Sequence, residues 1–301
     1  MVQSLERELM NTLSNPCRRV FLLLSLLAFT NGCTTQESPP LKIGVVPAQT
    51  EGEMAKGMQR LQDLLAKKLG REVKVEVYPE YNGVVEALNY QKIDVAFLGP
   101  FTYVVANKNS GARAIVTQLI NGEPYYFSYL IAPENSKLQS IDDLKASPAE
   151  LRVMFGSINS TSGCLVPSAA LKELELYVDE NHHSFKEVKF GGSHDVVALS
   201  IQTGAADVGA IDSALFDSFV RSGKIDASKI RVIWKSEQLF QYPWAVRSGL
   251  DSTLEKKIQE AFLTINDPLV FGAFEGATKF VKCADDDYDQ IREIAKKLGK
   301  L

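Results

Sequence analysis

Side chains that commonly bind metals are scarce in this sequence of 301 residues. It has only three histidines and four cysteines, and no two cysteines have the spacing of a metal-ligand pair. The net charge of -4 lacks the basic footprint of a nucleic-acid-binding protein. No apolar run reaches the about 20 residues that span a bilayer. We therefore predict no metal site, no nucleic-acid partner and no membrane-spanning helix.

The first 33 residues have the order of a bacterial signal sequence. Arg18 and Arg19 precede an apolar run at residues 20–29, and Thr30-Asn31-Gly32-Cys33 follows it. A small residue before a cysteine is typical of a lipoprotein cleavage box, with Cys33 as the lipidated residue; ordinary signal cleavage is the alternative. Residues 34–40 are polar and end in two prolines, which predicts a flexible tether. We expect a periplasmic or cell-surface protein that is membrane-anchored through Cys33.

After the tether, apolar segments of strand and helix type alternate. Such alternation predicts an α/β fold in which parallel strands are covered by helices on both faces. In these sheets, ligands bind beyond the carboxyl ends of the strands. The predicted strands are residues 41–46, 73–77, 94–98, 125–132, 151–155, 188–190, 207–211 and 242–246. The predicted helices include residues 53–69, 101–107, 196–202, 252–263 and 285–298.

One hydroxyl-rich loop lies where a strand passes into a helix. Three adjacent hydroxyls, Ser160, Thr161 and Ser162, precede Gly163. The first turn of a helix has backbone N–H groups without intrahelical partners and carries partial positive charge. The loop therefore predicts a neutral cradle for a small tetrahedral oxyanion. The alternative is that Ser160 or Ser162 only caps the helix.

This loop and two other segments carry a family resemblance. The central segment is Ser160-Thr161-Ser162-Gly163 followed by Leu165-Val166-Pro167. The others are residues 81–88 and residues 94–100. Together they resemble the periplasmic phosphonate/phosphite-binding proteins of ABC transporters. The resemblance covers nearly all of the chain after the leader, and it implies a type II periplasmic binding protein with two lobes, each a mostly parallel sheet flanked by helices, and a two-strand hinge.

The resemblance also implies a division of the chain. Residues 1–33 are the signal peptide and lipid box, and residues 34–40 are the tether. Residues 41–131 and 236–301 form the first lobe, and residues 132–235 form the second. Cys164 and Cys283 then belong to different lobes, so we expect two buried apolar side chains and not a disulfide that would lock the hinge.

Seven residues are expected to bind the ligand. The resemblance implies that a tyrosine from each of two segments reaches it, and that a histidine donates to its oxygens. Alternation along the strand allows only one of Tyr125 and Tyr126 to face the cleft, and the register favours Tyr126. Tyr103 and Tyr242 are expected to complete an aromatic wall that suits a small ligand. The seven are Tyr81, Tyr126, Ser160, Thr161, Ser162, His194 and Asp212.

His194 and Asp212 decide which anion fits. His194 stands at a predicted helix start and is expected to bind an oxyanion best when protonated; the alternative is a capping or surface histidine. A carboxylate at Asp212 repels a fully ionised phosphate but accepts from a ligand that keeps a proton, or stands beside a P–H or P–C group. Asp212 therefore favours a protonated phosphonate, phosphite or phosphate. The alternative is that it caps the helix beginning at Ser213.

The resulting prediction is the solute-binding component of an ABC importer. It would capture a small phosphorus oxyanion between its lobes and deliver it to a membrane permease, without a cofactor or a catalytic residue. The alternative is a serine hydrolase that uses Ser160 or Ser162 with His194 and an aspartate. No Gly-x-Ser-x-Gly nucleophile elbow is present, and Asp195 is poorly placed to orient the neighbouring imidazole.

Overall fold

A computed structural model describes residues 38–50 and 53–301. Its first sheet has six strands in the order β15-β4-β14-β3-β1-β2. This sheet and its helices are called the first lobe below. Its strands are β1 (Leu41–Val45), β2 (Val73–Val77), β3 (Val95–Phe97), β4 (Arg113–Ile120), β14 (Pro243–Val246) and β15 (Ala277–Lys282).

The second lobe is built on a five-stranded sheet in the order β10-β7-β11-β6-β12. All of its strands lie between residues 128 and 235. A small hairpin of β8 (Tyr177–Asp179) and β9 (His182–His183) is attached to it. The sheet strands are β6 (Ser128–Pro133), β7 (Arg152–Phe155), β10 (Glu187–Phe190), β11 (Val208–Asp212) and β12 (Ile230–Lys235).

Nine α-helices among the described residues flank the two sheets. The first shows why they pack there: Met54, Met58, Leu61 and Leu65 recur at helical spacing and are 0–5 % exposed. The helices are α1 (Glu53–Leu69), α2 (Tyr81–Asn89), α3 (Pro100–Ser110), α4 (Val166–Glu173), α5 (His194–Gln202), α6 (Ser213–Arg221), α7 (Ser252–Leu263), α8 (Pro268–Ala273) and α9 (Asp289–Lys297).

Each sheet is parallel on one side and antiparallel on the other. In the first lobe β1 pairs in parallel with β2 and β3, whereas β14 is antiparallel to β3 and β4. In the second lobe β7 pairs in parallel with β10 and β11, whereas β6 is antiparallel to β11 and β12. The expected parallel strands are therefore present. Two of the antiparallel strands, β6 and β14, are those that follow the crossings between the lobes, and β15 is antiparallel to β4 at the edge of the first sheet.

The two crossings form a short antiparallel ribbon. It joins β5 (Tyr125–Tyr126) to β13 (Leu239–Phe240). The single strand predicted over residues 125–132 is wrong in one detail, because the chain leaves the ladder at Phe127. There the Phe127 N–H donates to Ser213 Oγ at 2.9 Å, and the Ser213 N–H donates to the Phe127 carbonyl at 3.0 Å. These bonds connect the hinge to the start of α6.

Several predictions meet the structure only in part. Cys164 and Cys283 are free, as expected; Cys164 is buried, whereas Cys283 is only partly buried and differs from the expectation in that respect. The leader, most of the tether and Cys33 lie outside the described residues, and the exact lobe boundaries stay predictions. Within residues 38–50 and 53–301, no helix is long and apolar enough to cross a membrane. The same residues contain no group of three acidic, histidine or cysteine side chains that could hold a metal ion.

Candidate functional site

The three adjacent hydroxyls at residues 160–162 have three different environments. Ser160 is the N-cap of a π-helical turn (Thr161–Leu165), and its Oγ accepts from the Gly163 N–H at 3.0 Å. The Thr161 Oγ1 accepts from the Phe101 N–H of the first lobe at 2.8 Å. The Ser162 Oγ is buried without a hydrogen-bond partner. Capping is therefore the role of Ser160, whereas the Ser162 hydroxyl is left for another partner, and the oxyanion cradle stays a prediction.

Gly163 is required by close packing inside this turn. A Cβ at this position would lie 2.9 Å from Ser160 Oγ and 3.0 Å from the Cε1 of His194. Any larger residue would push the capping serine and the histidine ring apart. The glycine thus allows the hydroxyl loop that follows β7 to pack directly against His194, which follows β10.

The imidazole of His194 is held in one tautomer. Its Nδ1 accepts from the Asp212 backbone N–H at 3.2 Å, so the ring proton is on Nε2. Nε2 is buried and has no partner. Burial lowers the pKa of His194 to about 4. Without a ligand this ring is therefore a neutral donor at neutral pH. That an oxyanion binds best to the protonated ring stays a prediction.

Asp212 uses its two carboxylate oxygens differently. Oδ1 caps α6 by accepting from the N–H groups of Ala214 at 2.8 Å and Leu215 at 3.2 Å. Oδ2 is buried and has no partner. Burial raises the pKa of Asp212 to about 7, against the opposing effect of the two backbone donors and the weaker effect of the nearby Tyr242 hydroxyl, which makes no hydrogen bond to it in this geometry. The capping alternative is correct for one oxygen, and the other is left for a proton or a ligand.

Three buried tyrosines surround these groups, each with a hydroxyl that has no partner: Tyr81, Tyr126 and Tyr242. Tyr126 is 1 % exposed and Tyr125 is 39 % exposed, so Tyr126 is the one that faces inward. Tyr242 was predicted only as part of a wall. Its ring stacks on Phe97 at 5.4 Å between centroids, which fixes the direction of its hydroxyl.

Tyr103 does not belong to this cluster, which corrects the predicted wall. Its hydroxyl donates to Asp285 at 2.7 Å and accepts from the Ala114 N–H at 3.2 Å. Both partners belong to the first lobe, so this tyrosine serves the packing of α3. The sequence contains a signal for Tyr242: it directly precedes the strand that crosses back into the first lobe, as Tyr126 stands on the crossing that leaves it.

Six buried, unpartnered polar atoms thus define the candidate site. Buried polar groups are normally hydrogen-bonded, so a cluster of exceptions indicates a missing partner. Five of the six atoms can donate a hydrogen bond, and only Asp212 Oδ2 is an obligate acceptor when ionised. Their side chains come from both lobes, and each of those residues is at most 1 % exposed. They are Tyr81 Oη, Tyr126 Oη, Ser162 Oγ, His194 Nε2, Asp212 Oδ2 and Tyr242 Oη.

The same geometry lacks the features of a serine hydrolase. The acceptor on His194 faces a backbone N–H and not a carboxylate. Asp195 instead accepts from Thr50, Ser193 and Lys224. A triad needs a carboxylate that orients the base, and no such contact is made to this histidine. The hydrolase alternative therefore has no support.

Two α/β lobes joined by a two-strand hinge, with a buried polar cluster between them, define a type II periplasmic binding protein. The family model for the periplasmic substrate-binding protein of phosphonate ABC transporters matches residues 43–288. The chain belongs to this family, which confirms the resemblance seen in the sequence.

Individual relatives extend along nearly the whole chain. It is 26% identical over 296 residues to a probable ABC transporter phosphite binding protein, PhnD1, of Prochlorococcus marinus, covering 94% of this chain and 98% of that protein. It is 28% identical over 287 residues to the phosphate-import protein PhnD of Mycolicibacterium smegmatis, covering 88% of each. The solved structure of Prochlorococcus marinus PhnD1 in complex with methylphosphonate superposes with a TM-score of 0.78 at 25% identity, covering 87% of this chain and 99% of that one.

Proposed function

We propose that this protein captures a small phosphorus oxyanion between its lobes and presents it to an ABC permease. The observation that carries the proposal is the set of five buried donors that have no partner, together with one buried carboxylate oxygen that also has none. An oxyanion supplies acceptors to the donors, and charge-assisted hydrogen bonds of this kind are about twice as strong as neutral ones. The relatives named for phosphite and phosphate, and the phosphonate family model, support this class of ligand.

The closed cleft favours a compact ligand. Every side chain that we assign to the ligand is at most 1 % exposed, so the bound molecule has no open side. A long organic substituent would need such an opening or small residues in place of Tyr81, Tyr126 and Tyr242. Phosphite, methylphosphonate and phosphate meet this size limit.

Asp212 selects the protonation state of the bound ligand. With a pKa near 7, its carboxyl group and the ligand hold one proton between them at neutral pH. A phosphorus oxyanion can bring that proton because its last ionisation falls near neutrality. Sulfate brings none, so it meets an ionised carboxylate in a dry site, which costs several kcal/mol. Sulfate should therefore be excluded above pH 7.

Isothermal titration of the purified protein near pH 7 tests the proposal. The ligands are phosphite, methylphosphonate, 2-aminoethylphosphonate, phosphate and sulfate. Binding of at least one phosphorus ligand at about micromolar Kd or tighter, or about -8 kcal/mol, with no heat from sulfate, would establish the class and name the cargo. Silence from all four phosphorus ligands would overturn the proposal and leave only the fold.

The two neighbouring tyrosines of the first crossing give a matched pair of variants. Tyr126→Phe removes a buried hydroxyl that has no partner, so we expect about a tenfold loss of affinity with an unchanged or slightly higher Tm. Tyr125→Phe removes a hydroxyl from a side chain that is 39 % exposed, and both quantities should stay unchanged. Calorimetry with the tightest phosphorus ligand and thermal unfolding measure the two effects. Equal affinities for the two variants would remove Tyr126 from the ligand.

We further propose that Cys33 carries the lipid anchor. The support is the sequence order of arginines, apolar run, small residue and cysteine at residues 18–33. Mass spectrometry of the protein purified from membranes of its host should find Cys33 as the acylated N-terminal residue. A processed N-terminus elsewhere, with an unmodified Cys33 or none, would contradict this.

A further inference from the structure

Beside the candidate site, two loops from different lobes meet directly. Residues 48–50 follow β1 in the first lobe, and residues 193–195 begin α5 in the second. The His194 N–H donates to the Ala48 carbonyl at 3.0 Å. The Thr50 N–H lies 3.2 and 3.3 Å from the two carboxylate oxygens of Asp195, and the Thr50 hydroxyl also donates to Asp195. The carboxylate thus accepts from both donors of one residue in the opposite lobe.

The second lobe holds Asp195 ready for this contact. Its side chain is 1 % exposed, Ser193 Oγ donates to it at 2.7 Å, and Lys224 Nζ lies 2.6 Å away. The same ammonium group lies 3.3 Å from Thr50 Oγ1. Despite burial, these partners lower the pKa of Asp195 to about 2. The Asp195 carboxylate is therefore ionised throughout the neutral range, and the first-lobe threonine supplies its remaining hydrogen-bond donors.

We propose that Thr50, Asp195 and Lys224 form an interlobe latch that sets how long the closed protein retains its ligand. None of the three contributes an unpartnered atom to the candidate site. Asp195 is instead a positioning residue, because its bond to Thr50 fixes the start of α5 against the first lobe. The neighbouring His194 N–H is bonded to Ala48 in the same loop. The latch changes the stability of the closed form of the protein, whereas the candidate site determines which ligand binds.

Closure and affinity are linked through the population of the closed form. When only a fraction of the protein is competent, the apparent Kd rises by the inverse of that fraction. Loss of the latch lowers the closed fraction for every ligand equally, so affinity falls while the ranking of ligands stays the same. A residue that contacts the ligand would instead change the ranking. This difference separates the latch from the site.

A double-mutant cycle of Thr50→Val and Asp195→Asn tests the contact. We expect ligand dissociation, followed by stopped-flow fluorescence with the tightest phosphorus ligand, to be several-fold faster for Thr50→Val and about tenfold faster for Asp195→Asn. The double variant should be no faster than Asp195→Asn alone, because the hydroxyl that Thr50→Val removes acts through the Asp195 carboxylate, whereas the Thr50 N–H is kept in every variant. Independent, multiplicative effects would show that Asp195 acts only within its own lobe, and an unchanged rate in both variants would also overturn the latch.

A ligand-free measurement keeps this inference separate from the proposed function. Tyr90 in the first lobe and Val232 in the second are exposed, and the variants Tyr90→Cys and Val232→Cys in a chain lacking the other cysteines accept a pair of fluorophores. Single-molecule energy transfer should report a smaller closed fraction for Thr50→Val than for the parent. Asp207→Asn is the control, because Asp207 pairs with Arg152 at 2.9 Å within the second lobe. It should lower Tm without changing the closed fraction, and an equal change in both variants would contradict the latch.

Discussion

Asp212→Asn is expected to weaken binding of phosphite or methylphosphonate about 10- to 100-fold and to admit sulfate. The carboxylate oxygen Oδ2 is buried without a partner, and it is the only obligate acceptor of the candidate site when ionised. An asparagine cannot take the ligand's proton, and its amide no longer repels a fully ionised anion. Titration of the variant with the phosphorus ligand and with sulfate at pH 8 measures both changes. A variant that still rejects sulfate would show that Asp212 is not the residue that excludes it.

The pH profile of binding gives the same residue a second signature. Above about pH 7 both Asp212 and the ligand are ionised, so binding must take up one proton and affinity should fall by up to tenfold per pH unit. In Asp212→Asn the residue needs no proton, and the decline above pH 7 should become shallower. Titrations in buffers of different ionisation enthalpy count the protons directly. Equal proton uptake by both proteins would contradict the shared proton.

The raised pKa of Asp212 also predicts how the stability of the ligand-free protein changes with pH. The folded-state pKa of Asp212 lies above its ordinary value of 3.8, so the folded protein keeps a proton that the unfolded chain loses. Stability from this group is complete below about pH 4 and is lost as pH rises to about 7. Asparagine caps a helix as well as aspartate does. Asp212→Asn should therefore raise Tm at pH 8 and have a smaller effect at pH 4.

Asp217→Asn is the matched control for these experiments. Asp217 lies on the same helix, α6, and its charge raises the pKa of Asp212 slightly. Its substitution removes an equal charge without touching the candidate site. Affinity for the phosphorus ligand should stay within about twofold of the wild-type value, since surface charges act weakly over distance, and sulfate should remain excluded. Admission of sulfate by this variant would assign the exclusion to net charge.

Local sequence patterns were sufficient for the elements that position the site. Helix α1 was predicted at its observed bounds because its apolar side chains recur with one clean period. The Ser160–Gly163 loop was found because hydroxyls and a glycine cluster where a strand passes into a helix. In both cases the signal lies within a few residues and depends on no distant contact.

Properties set by long-range contacts were not predictable in the same way. The tautomer of His194 depends on the backbone of Asp212, which lies 18 residues away in sequence. The two roles of Asp212 depend on which oxygen faces α6, and no spacing rule encodes that. Tyr103 and Tyr242 are equally plausible wall residues in the sequence, and only Asp285 and Phe97 decide between them. Sequence therefore named the residues of the candidate site but not their protonation states.

His194→Ala is expected to cause the largest loss of affinity of any single substitution, because of the tautomer in which the ring is held. The neutral ring donates through Nε2 and accepts through Nδ1, so His194→Ala removes a donor from the ligand and an acceptor from the Asp212 N–H at once. We expect affinity to fall about 100-fold, because one hydrogen bond to a charged group contributes about 1.5–3 kcal/mol and the buried Asp212 N–H also loses its acceptor. His182→Ala is the control, because His182 is exposed and pairs only with Asp179 in the β8–β9 hairpin, and its affinity should be unchanged.

Two amide substitutions separate the donor from the acceptor. The amide of Asn can reproduce the Nδ1 acceptor but not the Nε2 donor, whereas the longer Gln can place an N–H near the position of Nε2. His194→Gln should therefore retain more affinity than His194→Asn, although His194→Asn should unfold at the higher temperature because it satisfies the Asp212 N–H. Nitrogen NMR of the wild-type ring should show Nδ1 unprotonated and no titration between pH 5 and 8, since the pKa lies at about 4. Protonation of the ring between pH 5 and 8, accompanied by rising affinity, would contradict this prediction. It would show that His194 binds the ligand as a cation, and the expected order of the two variants would no longer hold.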